Sequence, residues 1–351
     1  MVADMPEKNV LIITLFRSLN AGAYLQAFAL QEVLRSKGLA PFFLETYDFK
    51  QRLLLYRPFL RKDQRSIKNI LFNIQKIKEF SRSEKKFEIT KKADDSFSAA
   101  FMGSDEIWST INKTFIPRPE FFGLNLPDRI KKFSYAPSAG NTSEQQANQR
   151  KDLYKGIANL DLVSVRDEST RDAVKALPGV KDIHHVLDPT FLHDFSSNEE
   201  SFDINKPYAV VYSYGFNQQR REEVKRYAKR NGLMLVSPTF NQSWCDLSLA
   251  CNPFQFLSII KNAECVITDT FHGSVFSIKY RKPFVTYSSQ KKKVQALLED
   301  LAVKNAHVDE GDLDKIDFIN TDYSATDGAE EERVAASYAY LNQCLSLIEE
   351  N

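Results

Sequence analysis

The sequence predicts an α/β protein of two Rossmann-like domains facing a cleft, closed by a long C-terminal helix. Three observations carry this. Short apolar runs of strand length alternate with segments of helical periodicity, and they do so in two separate series. A polar stretch from His193 to Pro207, rich in Asp, Ser, Asn and Glu, parts the two series. The chain has 351 residues, more than the roughly 250–300 that one hydrophobic core serves. The expected domains are 1–195 and 206–351, the second including the terminal helix.

In chain order, Asn9 to Leu15 is the first strand. A helix follows through Asn20-Ala21-Gly22-Ala23, with Leu25, Phe28, Ala29 and Leu34 at helical spacing and Gly38 as its stop. Pro41 to Glu45, Phe97 to Met102, Lys132 to Ala136 and Leu162 to Val165 are further strands, and their alternation with helical segments argues for a parallel sheet. The second series runs through a strand at Tyr208 to Tyr214, a helix at Gln218 to Asn231 and a strand at Leu233 to Ser237. It continues with a helix at Pro253 to Ala263, strands at Cys265 to Thr268 and Pro283 to Tyr287, and a helix from Val294 to Leu301. From Ala329 to Glu350, Val334, Tyr338, Leu341, Leu345 and Ile348 recur at helical spacing and mark the terminal helix.

The composition, 43% hydrophobic and 26% charged, is that of an ordinary soluble protein. A net charge of +1 predicts no nucleic-acid partner. Cys245, Cys251, Cys265 and Cys344 form no C-x-x-C pair, which argues against a zinc site or disulfide scaffold and for a reducing, cytoplasmic setting. Met1 to Lys8 carries Asp4 and Glu7 and lacks an apolar core, so no signal peptide is expected. Apolar runs such as Val10 to Phe16 are too short to span a bilayer.

Charge is concentrated in one place. Lys50 to Lys92 holds fourteen Lys or Arg against four acids, a net +10, which leaves −9 for the rest of the chain. Leu53, Leu54, Leu55, Tyr56, Phe59, Leu60, Ile70, Leu71, Phe72, Ile74 and Ile77 are interleaved with the basic residues. Such a stretch fits an anionic membrane surface. The reading with more weight is a solvated helix whose apolar side joins the core, since most charged helices are simply solvated.

The segment from Val266 to Ile278 reads as a buried strand running into a helix, with His272 and Gly273 at the turn. Open α/β sheets bind ligands at such strand ends, and the helix N-terminus offers free N–H groups and the positive end of the dipole to an anion. His272 is there a proton donor or second anchor, or else a histidine that caps the helix and touches only protein.

Several pieces together resemble the polysaccharide pyruvyl transferase family. They are Asn20-Ala21-Gly22-Ala23 through Gln31, Gly103-Ser104-Asp105-Glu106-Ile107-Trp108, and Ser134 to Gly140. Ser164-Val165-Arg166-Asp167-Glu168-Ser169, Leu187-Asp188-Pro189-Thr190-Phe191-Leu192 and the histidine turn complete the set, in the family's order. The resemblance implies a GT-B-like fold. It also implies transfer of a pyruvyl group from phosphoenolpyruvate to two sugar hydroxyls, giving a cyclic ketal and phosphate, in capsule or exopolysaccharide synthesis. No metal or organic cofactor is implied; phosphoenolpyruvate is a co-substrate.

That chemistry needs cations and helix N-termini for the donor's carboxylate and phosphate, an acid for its alkene carbon and a base for the sugar hydroxyl. Under the resemblance, Arg166, His272, Gly273, Ser274 and Lys293 bind the donor, and Asn20, Ser104, Asp105 and Trp108 serve the acceptor. His272 is expected to contact phosphate and transfer a proton, Arg166 to grip an anion bidentately, and Asp105 to act as base or acid. Against these stand plainer roles: a surface ion pair of Arg166 with Asp167 or Glu168, a helix cap for Asp105 and a core position for Trp108.

The chain departs from relatives at three positions. Thr270 stands where some have an arginine in R-x-H, Lys291-Lys292-Lys293 where some have an arginine before the next helix, and Ala23 where some have an aspartate. Lys293 is the best-placed substitute for that second arginine. Two other functions stay open at this level: a glycosyltransferase of the same fold using a nucleotide sugar, and a non-catalytic carbohydrate-binding protein. A lipid-linked acceptor would give the basic segment a purpose at the inner membrane face.

Overall fold

The structure, a computed structural model, describes residues 8–56, 66–175, 177–180, 182–289 and 291–350. The first half contains β1 (Lys8–Ile13), α1 (Ala21–Ser36), β2 (Leu39–Leu44), α2 (Phe49–Tyr56), α3 (Ile67–Ser83), β3 (Ile89–Thr90), β4 (Ala99–Met102) and β5 (Lys131–Ser134). It continues with α4 (Glu144–Gln149), α5 (Lys151–Tyr154), β6 (Val163–Val165), α6 (Glu168–Lys175) and β7 (Ile183–His185). The second half contains β8 (Tyr208–Tyr212), α7 (Gln218–Arg230), β9 (Met234–Pro238), β10 (Leu247–Leu249), α8 (Pro253–Lys261) and β11 (Cys265–Thr268). It ends with α9 (Phe271–Lys279), β12 (Phe284–Thr286), α10 (Lys292–Asp300) and α11 (Thr326–Glu349).

Each half is built on a five-stranded sheet with the same winding, β3-β2-β1-β4-β5 in the first and β10-β9-β8-β11-β12 in the second. All these pairings are parallel, for example Ile12 opposite Phe101 and Val266 opposite Val210. Central parallel strands are covered on both faces, so they read as unbroken apolar runs rather than alternations; β8 and β11 are buried throughout. That is why the central strands are legible in sequence. The short strands β3, β7 and β10 lie at sheet edges, are incompletely buried and have no such run to announce them.

The halves share one apolar cluster. Phe254 on α8 meets Tyr24 and Phe28 of α1 edge to face, at 5.7 and 5.1 Å. The terminal helix returns to the first half: Tyr340 Oη donates to Ser134 O at 2.6 Å, and Lys8 Nζ donates to Ile348 O at 2.5 Å. No helix among the described residues is long and apolar enough to cross a membrane. Winding order reverses between β1 and β4 and between β8 and β11, so the carboxyl ends of these strands are where ligands are expected.

Candidate active site

Two helices start at those strand ends and meet. After β11, Thr270 caps α9 by accepting the Gly273 N–H at 3.0 Å, and Thr268 Oγ1 donates to Tyr212 O at 2.6 Å. A Cβ on Gly273 would overlap Thr268 Oγ1, so the turn closes only with glycine there. After β1, Asn20 caps α1 by accepting from Gly22 N at 2.9 Å. Gly22 faces the His272 ring so closely that a Cβ would overlap it. Gly22→Ala is therefore expected to destabilise the protein by about 1–3 kcal/mol, read as a lower urea midpoint. The control Gly328→Ala, with no neighbour within 4 Å of its would-be Cβ, should leave the midpoint unchanged or raise it.

His272 is buried, and its Nε2 lies 3.6 Å from Asp188 Oδ2. It caps nothing, since Thr270 does that work. Asp188 follows β7 and organises the site: Oδ1 accepts from Thr190 N at 3.1 Å and Thr190 Oγ1 at 2.7 Å, while Oδ2 accepts from Arg166 Nη1 at 2.8 Å. Ser104 Oγ donates to Ala136 O at 2.8 Å and lies 3.4 Å from the same Oδ2. Burial opposes the Asp188 charge, but the His272 and Arg166 contacts and the Thr190 hydrogen bond outweigh it and hold the carboxyl well below the usual carboxylate range.

Arg166, at the end of β6, has a side chain only 3% exposed. Its guanidinium stacks 4.1 Å over the Phe271 ring. One nitrogen serves Asp188, while Nε and Nη2 are buried with no hydrogen-bond partner among the described residues. The plainer alternative, a surface ion pair with Asp167 or Glu168, is not made; Asp167 instead accepts from Thr170 N at 2.9 Å and starts α6. Buried donors without acceptors cost free energy, and two of them on one guanidinium, beside a histidine, fit a bound anion.

Other expected site residues are placed differently. Trp108 is fully buried, donates Nε1–H to Phe121 O at 2.7 Å and stacks near Phe122, so it is core and offers no face to a sugar. Ser104 is also fully buried and acts behind the site, toward Asp188. Ser274 is buried with Oγ donating to Thr270 O at 3.2 Å, and the Gly273 N–H is taken by the cap, so neither offers a donor to a ligand. Lys293 pairs across the cleft with Glu106, whose other oxygen accepts from Asn112 Nδ2 at 2.9 Å, and its Nζ lies 6.0 Å from the centre of the Phe271 ring. Lys291 pairs with Asp269 at 3.1 Å.

Asp105 is half-buried, accepts from Glu106 N at 2.9 Å and starts no helix. Burial disfavours the Arg166 charge, but Asp188, Asp105 and Asp167 outweigh that and keep it protonated. Asn20 bridges the halves as well as capping α1: its Nδ2 donates to Tyr214 Oη at 2.6 Å and its Oδ1 accepts from Tyr212 Oη at 3.1 Å. Residues 57–65 of the basic segment lie outside the described residues. A cavity of about 570 Å³ opens elsewhere, between α3 and α8, lined by Glu79, Lys86, Glu200 and Asn252 among others and by none of these site residues.

Asp188, Gly22, Phe271 and Glu106 are the site residues that sequence reasoning did not single out. Each lay inside a quoted motif, but its partner is remote in the chain.

The polysaccharide pyruvyl transferase family model matches residues 20–291 of the chain. No curated protein matches it by sequence. Many solved structures share its fold, among them the following three. One, from Listeria monocytogenes and assigned as a UDP-N-acetylglucosamine 2-epimerase, is 9% identical at a TM-score of 0.53, over 99% of this chain and 98% of its own. The Methanocaldococcus jannaschii UDP-GlcNAc 2-epimerase, in complex with UDP-GlcNAc and UDP, is 10% identical at 0.51, over 95% and 99%. An alpha-glucosyltransferase in complex with UDP and DNA is 11% identical at 0.51, over 98% and 100%. These are GT-B enzymes, and the two wound sheets, cleft and returning terminal helix are the GT-B fold.

Proposed function

The chain belongs to the polysaccharide pyruvyl transferase family, and from that premise we propose that it moves the pyruvyl group of phosphoenolpyruvate onto two hydroxyls of a sugar. The observation that carries the reading is the buried Arg166 guanidinium with two unpartnered N–H groups beside His272. A carboxylate or phosphate of the donor satisfies that fork, because a planar guanidinium matches two oxygens at once.

In this reading His272 gives a proton to the donor's methylene carbon, and a sugar hydroxyl adds to C2 as Asp105 takes its proton. Phosphate leaves with the electron pair of the broken C–O bond, and the second hydroxyl closes the ketal as its proton passes to the His272 imidazole, which restores the acid; the proton on Asp105 leaves with phosphate. Asp188 touches no substrate; it is a positioning residue that orients Arg166 and stabilises the protonated imidazole. No metal or organic cofactor enters. We place the work in the cytoplasm, at the inner membrane face, on a sugar of capsule or exopolysaccharide or of its lipid-carried precursor.

The test is inorganic phosphate release from phosphoenolpyruvate with a panel of galactosides, glucosides and mannosides. Acceptor-dependent release, matched by a pyruvyl mass gain on one sugar, is expected. The UDP complexes of the structural neighbours favour one competing reading, a nucleotide-sugar glycosyltransferase. UDP binding with phosphoenolpyruvate untouched would put that reading first.

A further inference from the structure

Helix α3 carries its apolar stripe on the outside. Its buried residues are Asn73, Lys76, Phe80 and Ser83, mostly polar. The opposite face presents Ile67, Ile70, Leu71 and Ile74, spaced i, i+3, i+4 and i+7, at 80%, 46%, 61% and 57% exposure. The inner face is pinned in place. Asn241 Nδ2 donates to Asn69 Oδ1 at 2.8 Å, Lys76 Nζ lies 5.0 Å from the centre of the Phe240 ring, and Tyr24 Oη donates to Ser83 O at 2.7 Å. Burial pushes the Lys76 ammonium down to about 8. Rolling the stripe inward would pull the fully buried Phe80 into water.

Helix α2, earlier in the chain, also exposes Phe49, Leu53 and Tyr56, so seven of the eleven exposed large apolar side chains among the described residues lie between 49 and 74 in the sequence. Lys68 and Lys78 of α3 are exposed, as are Lys85, Lys91 and Lys92 beyond its end. A contiguous apolar patch marks a docking site, and the sign of the surrounding charge names the partner. Two copies of this chain meeting there would bring Lys68 and Lys78 of one copy against those of the other, whereas an anionic bilayer answers both the charge and the aliphatic stripe.

We propose that the outward face of α3 docks on an anionic lipid bilayer, with Ile67, Ile70, Leu71 and Ile74 entering the interface and Lys68 and Lys78 against lipid phosphates. The docked helix connects to the site. Its Lys76 meets Phe240, Phe240 packs 5.2 Å from the Tyr214 ring, and Tyr214 accepts from Asn20 at the start of α1, beside His272. Docking rests on the surface alone; its purpose, bringing a lipid-carried sugar to the cleft, rests on the proposed function.

The test is co-sedimentation of the full chain with phosphatidylcholine vesicles with and without phosphatidylglycerol, at low and high salt. The parent is expected to bind only the anionic vesicles. Lys68→Gln and Lys78→Gln should each weaken binding about fivefold, and the Ile70→Ser/Leu71→Ser/Ile74→Ser variant about tenfold or more, with unchanged thermal unfolding. Equal binding to neutral vesicles, no binding at low salt, or a Ser variant that binds like the parent would each overturn the proposal. So would a parent dimer that the Ser variant dissolves, since the stripe would then cover a second copy. Phosphate release on a water-soluble acceptor separates the two claims. Release without vesicle binding ends the docking proposal alone; vesicle binding without release ends the proposed reaction and leaves docking standing.

Discussion

His272→Ala is expected to cut acceptor-dependent phosphate release by about a hundred- to ten-thousand-fold, the range a positioned acid supplies, while the protein stays folded. The argument is geometric. The imidazole sits between the first turns of α1 and α9, packed on Gly22, with Nε2 turned to Asp188 and hydrogen-bonded to no described residue. It caps no helix, so removing it opens a small space without unravelling α9, whose cap on Thr270 survives. His272→Asn sharpens the test, because it keeps polar atoms near that position but cannot carry the proton. Both variants are compared with the parent for kcat/KM toward phosphoenolpyruvate and for thermal unfolding. Parental turnover in either variant would reduce His272 to packing and leave the chemistry without its acid.

Much of this site can be read in the sequence because it is local. The apolar run of β11, the polar turn and the small residues of α9 announce a strand end and a helix start, and these place His272. Arg166 is legible for the same reason, at the end of β6. What cannot be read is who meets whom across the cleft. Asp188 lies 22 residues from Arg166 and 84 from His272 in the chain, and only folding puts one carboxylate oxygen between them. Lys293 looked like a spare cation until Glu106, 187 residues away, claimed it. Trp108 has the same letter whether it stacks on a sugar or fills a core; its buried Nε1–H bonded to Phe121 O decides for the core. The α3 stripe shows the same limit, since periodicity defines a face but not which way it turns. The short edge strands escaped because a strand with one neighbour and one wet face needs no apolar run.

Asp188→Asn is expected to damage stability and catalysis together. The carboxylate is 1% exposed and bonded to Arg166 at 2.8 Å. Removing its charge leaves the buried guanidinium without its hydrogen-bonded counter-ion, which costs about 3–5 kcal/mol, read as a fall in the unfolding free energy at neutral pH. The pH dependence has a definite sign. A carboxyl held below its unfolded value stabilises the fold above the unfolded pKa of about 3.9 and loses that contribution as pH falls through the folded value. Between pH 5 and 8 the parent should therefore show no stability change from this group. Its loss should appear only in acid, and the variant's deficit should close there. Catalysis carries the second signature. Without Asp188 the Arg166 fork is no longer held in its orientation, so KM for phosphoenolpyruvate should rise. A merely structural aspartate would lower stability and leave that KM in place. A variant as stable as the parent with an unmoved KM would show that Arg166 and His272 are held by something other than Asp188.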